Sequence, residues 1–392
     1  MTDIHDDVNR PVLLLVAGAK GAIGSTLAAA TAAGESSATI PWIAPYLTTG
    51  AGFPGSGRPD GFRMAGWDIA DGSLGEAMAR HGVLPESARE HLAEAAGAGV
   101  DVRRPPTSGP LADRIERLAG EMAEDCSRHP AARPVFVNLL PAANGADLGD
   151  CADEAEVIRR ADPDRFPDIA YVLAAIRAGI PVVNFTPNAV DVPAVTRAAA
   201  AAGVPIAGRD GKTGQTYFKV VIASALKARG LRVDGWYSLN ILGNADGANL
   251  RDPACAREKL DNKTRLLDEI LGYRVGEGYD APTHQVRIDY YPPRGDAKEA
   301  WDVIDFSGLF GLPMSLRVNL QGRDSILAAP MILDLARWMA LLKRRGRSGP
   351  VPELGFFFKK PVGPRPPVTF ADQIRSLDRL KTDCLKGPGT SK

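Results

Sequence analysis

Four lysines in the second half of the chain carry the charge needed to stabilise negative oxygen atoms. Lys259 and Lys263 are four residues apart, so on a helix their ammonium groups would share one face. Like charges at that spacing repel, which requires either a solvated face or an anion between them. Lys298 and Lys359 complete the set. Ammonium groups held in a dry site stabilise oxyanions that develop during a reaction, whereas each lysine considered alone is typical of an ordinary surface residue.

The segment Gly208–Thr216, GRDGKTGQT, joins a short apolar run to an apolar-periodic stretch that begins at Tyr217. A strand, a glycine-rich turn and a helix in this order direct backbone N–H groups towards an anion. Lys212 adds a positive charge, and Thr213 and Thr216 add hydroxyl donors. The spacing is not that of a Walker A loop. On its own, the segment is therefore as compatible with an ordinary helix-capping turn as with a phosphate site.

A second glycine-rich turn lies near the beginning of the chain. Residues 11–17, PVLLLVA, predict a buried parallel strand, and GAKGAIG at 18–24 leads into an alanine-rich helix. The glycine spacing is G-x-x-G-x-x-G, not the dinucleotide fingerprint G-x-G-x-x-G. Its position between the first strand and the first helix favours a dinucleotide-binding role, although glycines there also serve packing alone.

The strand and helix patterns divide the chain into two parts. Apolar runs at 135–140 and 181–185 alternate with helical stretches and predict a parallel, doubly wound sheet. Beyond the predicted helix 217–229, alternating stretches at 236–242, 284–291 and 315–320 predict a sheet covered on one face and more antiparallel in style. Residues 326–342 predict a long apolar helix. Residues 101–110 predict a break, and Gly355–Phe358 predicts a strand.

Composition argues against several classes of function. Lys plus Arg and Asp plus Glu both total 47, so no net basic charge favours nucleic acid. The four cysteines are widely spaced, which argues against a zinc ribbon or a disulfide framework and suits a reducing cytoplasm. The five histidines form no H-E-x-x-H motif, and we expect no metal site. No apolar run approaches membrane-spanning length and no signal-peptide core is present, so we expect a cytoplasmic protein with no membrane partner.

Taken together, the motifs resemble the inositol-phosphate synthase family over most of the chain. The matching segments are Gly66-Trp67-Asp68, GKTGQT at 211–216, LGNADGANL at 242–250, Lys259-x-x-x-Lys263, GDAK at 295–298, DSILAAP at 324–330 and FFFKKP at 356–361. Members of this family convert glucose 6-phosphate to inositol 1-phosphate, also numbered as the 3-phosphate, with bound NAD. A chance match of all these segments is implausible.

The resemblance implies a fold and a set of site residues. The fold is α/β: a Rossmann-type doubly wound parallel sheet, residues 1–215 and 326–392, interrupted by an inserted α/β catalytic and tetramerisation domain, residues 216–325. The implied catalytic residues are Lys259, Lys263, Lys298, Lys359, Asp210 and Asp324. The implied NAD contacts are Gly18, Lys20, Gly21, Ala22, Ile23, Gly24, Asn138, Asn184 and Asp246. The implied substrate-phosphate residues are Lys212, Thr213, Gly214, Gln215 and Thr216.

The resemblance also implies a redox-neutral cyclisation of a hexose 6-phosphate. NAD oxidises a ring-carbon hydroxyl, the resulting ketone acidifies a neighbouring C–H, and the enolate attacks a second carbonyl in an intramolecular aldol closure before NADH reduces the ketone. We assign Lys259 with Lys359 to the hydroxyl and the enolate, and Lys263 with Lys298 to the aldol carbonyl. The resemblance leaves open whether a monovalent or divalent cation is needed.

The chain departs from the family pattern at positions that bear on the substrate. It has Arg209-Asp210 where the family commonly has two acids, Ile241 where it has a histidine, and no lysine near Pro292. One alternative is therefore a relative that cyclises fructose 6-phosphate to a five-membered carbocycle, for a carbocyclic nucleoside or another secondary metabolite. The others are a plain NAD-dependent dehydrogenase with net redox and a non-catalytic NAD-binding relative.

Overall fold

The computed structural model describes residues 10–35, 61–143, 147–244, 247, 266–277, 279, 281 and 283–386. The chain divides into two compact units. Unit 1 comprises Met1–Gly211, Ala328–Pro366 and Ser376–Lys392, and unit 2 comprises Lys212–Leu327 and Pro367–Arg375.

Unit 1 contains a seven-stranded parallel sheet. Its strands are β1 (Val12–Ala17), β2 (Phe62–Trp67), β3 (Val100–Arg103), β4 (Arg133–Asn138), β5 (Val182–Asn184), β6 (Pro205–Gly208) and, after four strands of unit 2, β11 (Gly349–Pro350). They pair in the order β11-β6-β5-β4-β1-β2-β3, all parallel. Read from β3, the first six strands follow the 3-2-1-4-5-6 order of dinucleotide-binding folds, with the reversal of strand order between β1 and β4.

Helices cover both faces of this sheet. They are α1 (Ala22–Glu35), α2 (Leu74–His81), α3 (Glu86–Gly99), α4 (Leu111–Arg128), α5 (Glu154–Arg160), α6 (Asp168–Arg177) and α7 (Pro193–Ala201). Two further helices, α9 (Asp324–Arg344) and α10 (Phe370–Leu385), run along the chain from unit 2 into unit 1, and α8 (Gln215–Ala228) belongs to unit 2. Leu14 and Val16 of β1 lie in one apolar core, while Leu13 and Leu15 lie in the other. Because both faces are buried, the strand is apolar throughout, and the predicted Rossmann-type α/β fold is confirmed.

Two local predictions for unit 1 are wrong. The predicted break at 101–110 overlaps β3, an edge strand that pairs with β2 and therefore tolerates Asp101 and Arg103. The predicted strand at Gly355–Phe358 lies mostly in the 3-10 helix Pro352–Phe357. Leu354 and Phe357 are both buried, and their three-residue spacing puts them on one side of a 3-10 turn.

Helix α9 also differs from expectation. By length and composition alone it could cross a membrane, so the expectation that no apolar run approaches that length is wrong. Most of this apolar stretch is buried inside the protein, including Ile332, Leu335, Trp338 and Met339. A helix that is apolar on nearly all sides is also the mark of a core helix, and α9 has that role in unit 1.

Asp334 lies in the buried part of α9 and makes stability depend on pH. Its Oδ1 has no hydrogen-bond partner among the described residues, and burial raises its pKa to about 7, with Arg337 opposing the shift. The folded pKa exceeds the ordinary aspartate value of 3.8, so the stabilisation of the protonated carboxyl is present below that value and is lost as the pH rises through about 7.

We therefore expect Asp334→Asn to increase the free energy of unfolding at pH 8 by about 2–4 kcal/mol and to have little effect at pH 4. Urea unfolding of both proteins at the two pH values measures the difference. Asp378→Asn, at an exposed position in the middle of α10, is the matched control and should change neither value. An Asp334→Asn protein that is less stable at pH 8 would show that the carboxylate has a stabilising partner.

Unit 2 contains a four-stranded mixed sheet. Its strands are β7 (Arg232–Leu242), β8 (His284–Tyr290), β9 (Ala297–Ser307) and β10 (Pro313–Arg323), in the order β10-β9-β7-β8. The pairs β7–β9 and β9–β10 are antiparallel, whereas β7–β8 is parallel. Helix α8 (Gln215–Ala228) and the helical residues 266–271 contribute to an apolar core with Trp236 and Ile304. On the opposite face, Tyr237 and Trp301 are exposed, as the two-residue alternation predicts.

Candidate functional site

The turn between β1 and α1 requires glycine at two positions. Gly18 has φ +85°, and a Cβ there would lie 2.9 Å from the carbonyl oxygen of Leu139. A Cβ on Gly24 would lie 2.3 Å from the carbonyl oxygen of Gly18. The backbone is therefore packed too closely for a side chain, and the first turn of α1 presents N–H groups that have no partner within the helix. This arrangement suits the pyrophosphate of a dinucleotide.

Asp68 is attached to the same turn and was not among the expected site residues. Its Oδ2 accepts a hydrogen bond from the backbone N–H of Lys20 at 2.7 Å, and its Oδ1 accepts one from that of Ala70 at 2.8 Å. Lys20 Nζ donates to the Ala70 carbonyl at 2.8 Å. Asp68 directly follows β2, where dinucleotide-binding folds place the acid that binds ribose. The position of Asp68 directly after a strand is the sequence signal for this role, and that signal can be used only if β2 is recognised as a strand.

A cavity of about 660 Å³ lies beside the turn, at the carboxyl ends of β1, β2 and β4. Gly18, Lys20, Gly21 and Asp68 line one side, and residues 139–143 line another. Ligands of open parallel sheets bind where the strand order reverses, which in unit 1 is between β1 and β4. The glycine turn, the acid after β2 and the cavity together fit a dinucleotide, and Ala22 and Ile23 are the first residues of the helix that faces it.

The two asparagines expected to contact NAD are fully buried. Asn138 Nδ2 donates to Asn184 Oδ1 at 3.1 Å and to Asp168 Oδ1 at 2.7 Å, and Asn184 Nδ2 donates to the Asn188 carbonyl at 2.8 Å. Burial raises the pKa of Asp168, and the hydrogen bonds from Asn138 and Asn188 oppose the shift. This network fixes the loops that follow β4 and β5, and a direct contact of either asparagine with NAD stays a prediction.

Unit 1 also brings Asp210 and Lys359 together. Lys359 Nζ donates to Asp210 Oδ1 at 2.7 Å, and the backbone N–H of Lys359 donates to the Asp210 carbonyl at 2.7 Å. Asp210 has φ 61°, a left-handed conformation that aspartate tolerates better than most residues. Gly211 is required next to it, because a Cβ there would lie 2.2 Å from the ring of Phe185. Asp210 is buried whereas the Lys359 side chain is partly accessible, so the ammonium is held in one place and still open to a ligand.

In unit 2, Asp324 joins Thr213 to Lys298. Thr213 Oγ1 donates to Asp324 Oδ1 at 3.0 Å, and Lys298 Nζ donates to Asp324 Oδ2 at 3.1 Å. A Cβ on Gly214 would lie 3.2 Å from Asp324 Oδ1. Lys298 stands near the start of β9, and Asp324 is the first residue of α9. The cluster therefore lies at the N-terminus of α8, with a partly exposed ammonium group beside the glycine turn.

The other residues of this turn face the protein interior. Lys212 Nζ donates to Gln373 Oε1 at 2.8 Å, and burial lowers the pKa of Lys212 to about 7. Gln215 Nε2 donates to Asp302 Oδ2 at 2.9 Å, and Thr216 is buried. The groups best placed to meet an anion are therefore the backbone N–H groups at the N-terminus of α8, where the helix dipole favours negative charge.

Three expected site residues, Lys259, Lys263 and Asp246, lie outside the described residues. Within the described ranges, no group of three or more His, Cys, Asp or Glu side chains is placed to hold a metal ion. Two partners of the phosphate turn, Gln373 and Asp302, were also missed. Their chemistry has no signal in sequence spacing, because they are respectively 161 and 87 residues from the side chains that they contact.

Comparison with known proteins identifies relatives of this chain. Residues 214–325 match the family model described as myo-inositol-1-phosphate synthase. The chain is 46% identical over 198 residues to inositol-3-phosphate synthase 1 of Bacteroides thetaiotaomicron, covering 50% of this chain and 46% of the relative. It is 30% identical over 305 residues to inositol-3-phosphate synthase of Spirodela polyrhiza, covering 71% of this chain and 59% of the relative.

The fold has a solved counterpart in the inositol-3-phosphate synthase of Caenorhabditis elegans. The two structures superpose with a TM-score of 0.81 at 23% identity, over 97% of this chain and 87% of the nematode chain. Against the two curated relatives above, the matched part of the chain spans only about half to three fifths of their length.

Proposed function

We propose that this chain, which belongs to the inositol-phosphate synthase family, converts a hexose 6-phosphate to a cyclitol phosphate with no net redox. The specific reaction that we propose is the conversion of glucose 6-phosphate to inositol 1-phosphate. One observation carries the proposal: Thr213, Asp324 and Lys298 meet at the N-terminus of α8. That cluster combines an anion-binding helix end with an ammonium group able to stabilise a developing oxyanion.

We assign NAD to unit 1. NAD, when bound, accepts a hydride from the substrate and later returns it. The turn at Gly18–Gly24 would hold the pyrophosphate, and Asp68 the ribose hydroxyls. A carboxylate in that place disfavours the 2′-phosphate of NADP, so Asp68 should make the protein prefer NAD. Equal affinities for NAD and NADP, measured by fluorescence titration, would contradict this role.

We assign the sugar phosphate to unit 2. The first N–H groups of α8, in the turn Thr213-Gly214-Gln215-Thr216, would bind the phosphate, and the hydroxyl of Thr213 is fixed by Asp324. The domain limits predicted from the sequence, 1–215 with 326–392 and 216–325, would instead place Thr213, Gly214 and Gln215 in the NAD-binding domain, and these limits stay a prediction.

The lysines would perform proton transfer and charge stabilisation. Lys359, held by Asp210, would act with Lys259 at the hydroxyl that is oxidised and at the enolate. Lys298, held by Asp324, would act with Lys263 at the carbonyl that is attacked. Asp246 would be a further acid near the cofactor.

The proposal predicts that NAD is needed in catalytic amount and that no NADH accumulates. Purified protein with about 0.05 equivalent of NAD should convert glucose 6-phosphate completely, because the hydride returns to the product. Phosphorus and carbon NMR identify the product, and absorbance follows NADH. A parallel reaction with fructose 6-phosphate tests the five-membered alternative. Stoichiometric NADH would instead identify a plain dehydrogenase, and activity that depends on an added cation would settle that requirement.

We also propose that unit 2 forms the interface of a homo-oligomer, a tetramer in the family pattern. Its exposed apolar side chains include Leu309, Phe310 and Leu312 between β9 and β10, and Trp301 on β9. Contiguous exposed apolar surface marks interaction sites. Phe310→Asp with Leu312→Asp should lower the mass measured by light scattering, whereas Tyr279→Asp, at another exposed aromatic residue, should not. An unchanged mass for both variants would exclude this surface.

Cytoplasmic location and the lack of a nucleic-acid partner stay predictions.

A further inference from the structure

A buried polar network lies beneath the first turns of α8 in unit 2. Lys219 Nζ donates a hydrogen bond to Ser238 Oγ at 3.2 Å and lies 2.9 Å from Nε2 of His284. The ammonium group also lies 5.2 Å from the centroid of the Trp236 ring. All four side chains are buried, so Lys219 has exchanged water for these contacts.

Asp302 supplies the opposite charge in this network. Its Oδ1 accepts hydrogen bonds from Ser238 Oγ at 2.5 Å and from Trp236 Nε1 at 2.7 Å. Its Oδ2 accepts a hydrogen bond from Gln215 Nε2 at 2.9 Å. Ser238 therefore bridges the Lys219 ammonium to the Asp302 carboxylate, and the carboxylate in turn holds Gln215.

The network is attached to the proposed phosphate-binding turn at two points of one helix face. Gln215 is the first residue of α8, and Lys219 lies four residues later, so both side chains point towards the sheet that supplies their partners. Backbone N–H groups that bind an anion move with their helix and cannot adjust one by one. The position of the first turn therefore decides whether they converge on the anion.

The charges in the network depend on each other. Burial lowers the pKa of Lys219 to about 8, and the Asp302 carboxylate opposes the shift. In the part of the chain that the structure describes, the titratable groups that face Lys219 are His284 on β8 and Asp302 on β9. Loss of the ammonium charge would leave a buried carboxylate uncompensated, which is strongly unfavourable.

We propose that Lys219 and Asp302 are positioning residues that hold Gln215, and through it the turn Thr213-Gly214-Gln215-Thr216, in the geometry that binds the sugar phosphate. The inference rests on the proposed function, because it requires this turn to be the phosphate site. If the network served only the stability of the core, substitutions in it would lower the free energy of unfolding but would leave the anion affinity of the folded protein unchanged.

Binding of inorganic sulfate, measured by calorimetry without NAD or sugar, tests the inference. Lys219→Met and Gln215→Met should each weaken sulfate binding by roughly tenfold to a hundredfold, the cost of a misplaced binding group. Lys227→Met is the matched control, since Lys227 lies on the same helix and, among the described residues, its ammonium donates to the Ile270 carbonyl, at 2.6 Å. It should bind sulfate like the unaltered protein.

Measuring the sulfate affinity over a series of pH values adds a second test, because residues that only stabilise the core would not make this affinity depend on pH. Sulfate keeps its charge between pH 7 and pH 9, so a fall in affinity as the pH rises through about 8 reports loss of the Lys219 proton. Lys219→Met should lack this step.

The double variant Lys219→Met with Asp302→Asn should bind sulfate more tightly than Lys219→Met alone, because it leaves no uncompensated carboxylate. Folded Lys219→Met and Gln215→Met proteins with unaltered sulfate affinity would overturn the inference. If Lys219→Met does not fold, Gln215→Met decides, since it leaves both charges in place. No sulfate binding by the unaltered protein would overturn the phosphate site and this inference together, whereas normal binding without cyclisation contradicts only the proposed reaction.

Discussion

A Lys298→Met variant is expected to oxidise the sugar phosphate without closing the ring. Methionine keeps the apolar stem of the side chain but removes the ammonium group that Asp324 holds beside the phosphate turn. Losing one preorganised oxyanion partner costs ~3–4 kcal/mol of barrier, or about a hundred- to a thousandfold in rate. We assign this lysine to the aldol carbonyl, so the loss should appear after hydride transfer. One equivalent of NADH and an oxidised sugar phosphate should therefore accumulate in a single turnover.

Two further variants define the role of Lys298. Lys298→Arg keeps the charge, but its planar guanidinium has a different geometry and cannot give up a proton at working pH, so it should restore little activity. Lys227→Met removes a lysine whose ammonium contacts a backbone carbonyl and should leave turnover unchanged. A Lys298→Met protein with normal product formation would remove this lysine from the mechanism. If the Lys298→Met protein no longer forms NADH, Lys298 acts in the first step, the oxidation of the hydroxyl.

The elements that the sequence predicts best are those that bury both faces. The apolar run of β1 and the glycines that follow it predict a strand and a tight turn, because a doubly covered strand must be apolar throughout. Helix α9 is predicted for the same reason, although its apolar length was underestimated. In contrast, β2 contains Arg63 and Gly66 and was not recognised as a strand, so the position of Asp68 at its end gained no role from the sequence.

The contacts within the candidate sites depend on the fold and could not be predicted from spacing. Asp210 and Lys359 are 149 residues apart, and Thr213 and Asp324 are 111 residues apart. Lys298 lies in β9, which pairs with β10 so that Lys298 stands opposite Gly322, two residues before Asp324. Nothing in the motif GKTGQT indicates that the side chains of Lys212 and Gln215 point inwards, because a polar residue gives the same pattern in either orientation.

The earliest step should fail when Lys359 is replaced. Lys359→Met removes the ammonium group that Asp210 holds at 2.7 Å, and we assign this group to proton transfer at the hydroxyl that is oxidised. General acid–base catalysis contributes about a hundred- to ten-thousandfold, so single-turnover NADH formation should fall by that factor. The binding of NAD, measured by fluorescence titration, should remain nearly unchanged, because the ammonium is expected to act on the sugar.

The comparison of Lys359→Met with Lys298→Met separates two halves of one reaction. The first should form NADH about a hundred- to ten-thousandfold more slowly, and the second should form NADH that is never consumed. Asp210→Asn keeps the size of the partner of Lys359 but removes its charge. Its rate of NADH formation should lie between those of Lys359→Met and the unaltered protein, because the ammonium group remains present but loses its ion pair. Lys343→Met is the control in unit 1, since the Lys343 ammonium donates to the backbone carbonyl of Gly203, at 2.8 Å, and has no role in the proposed reaction. If Lys359→Met forms NADH at the normal rate while product formation stops, the proton at the oxidised hydroxyl is transferred by another group, and Lys359 acts only after the ketone has formed.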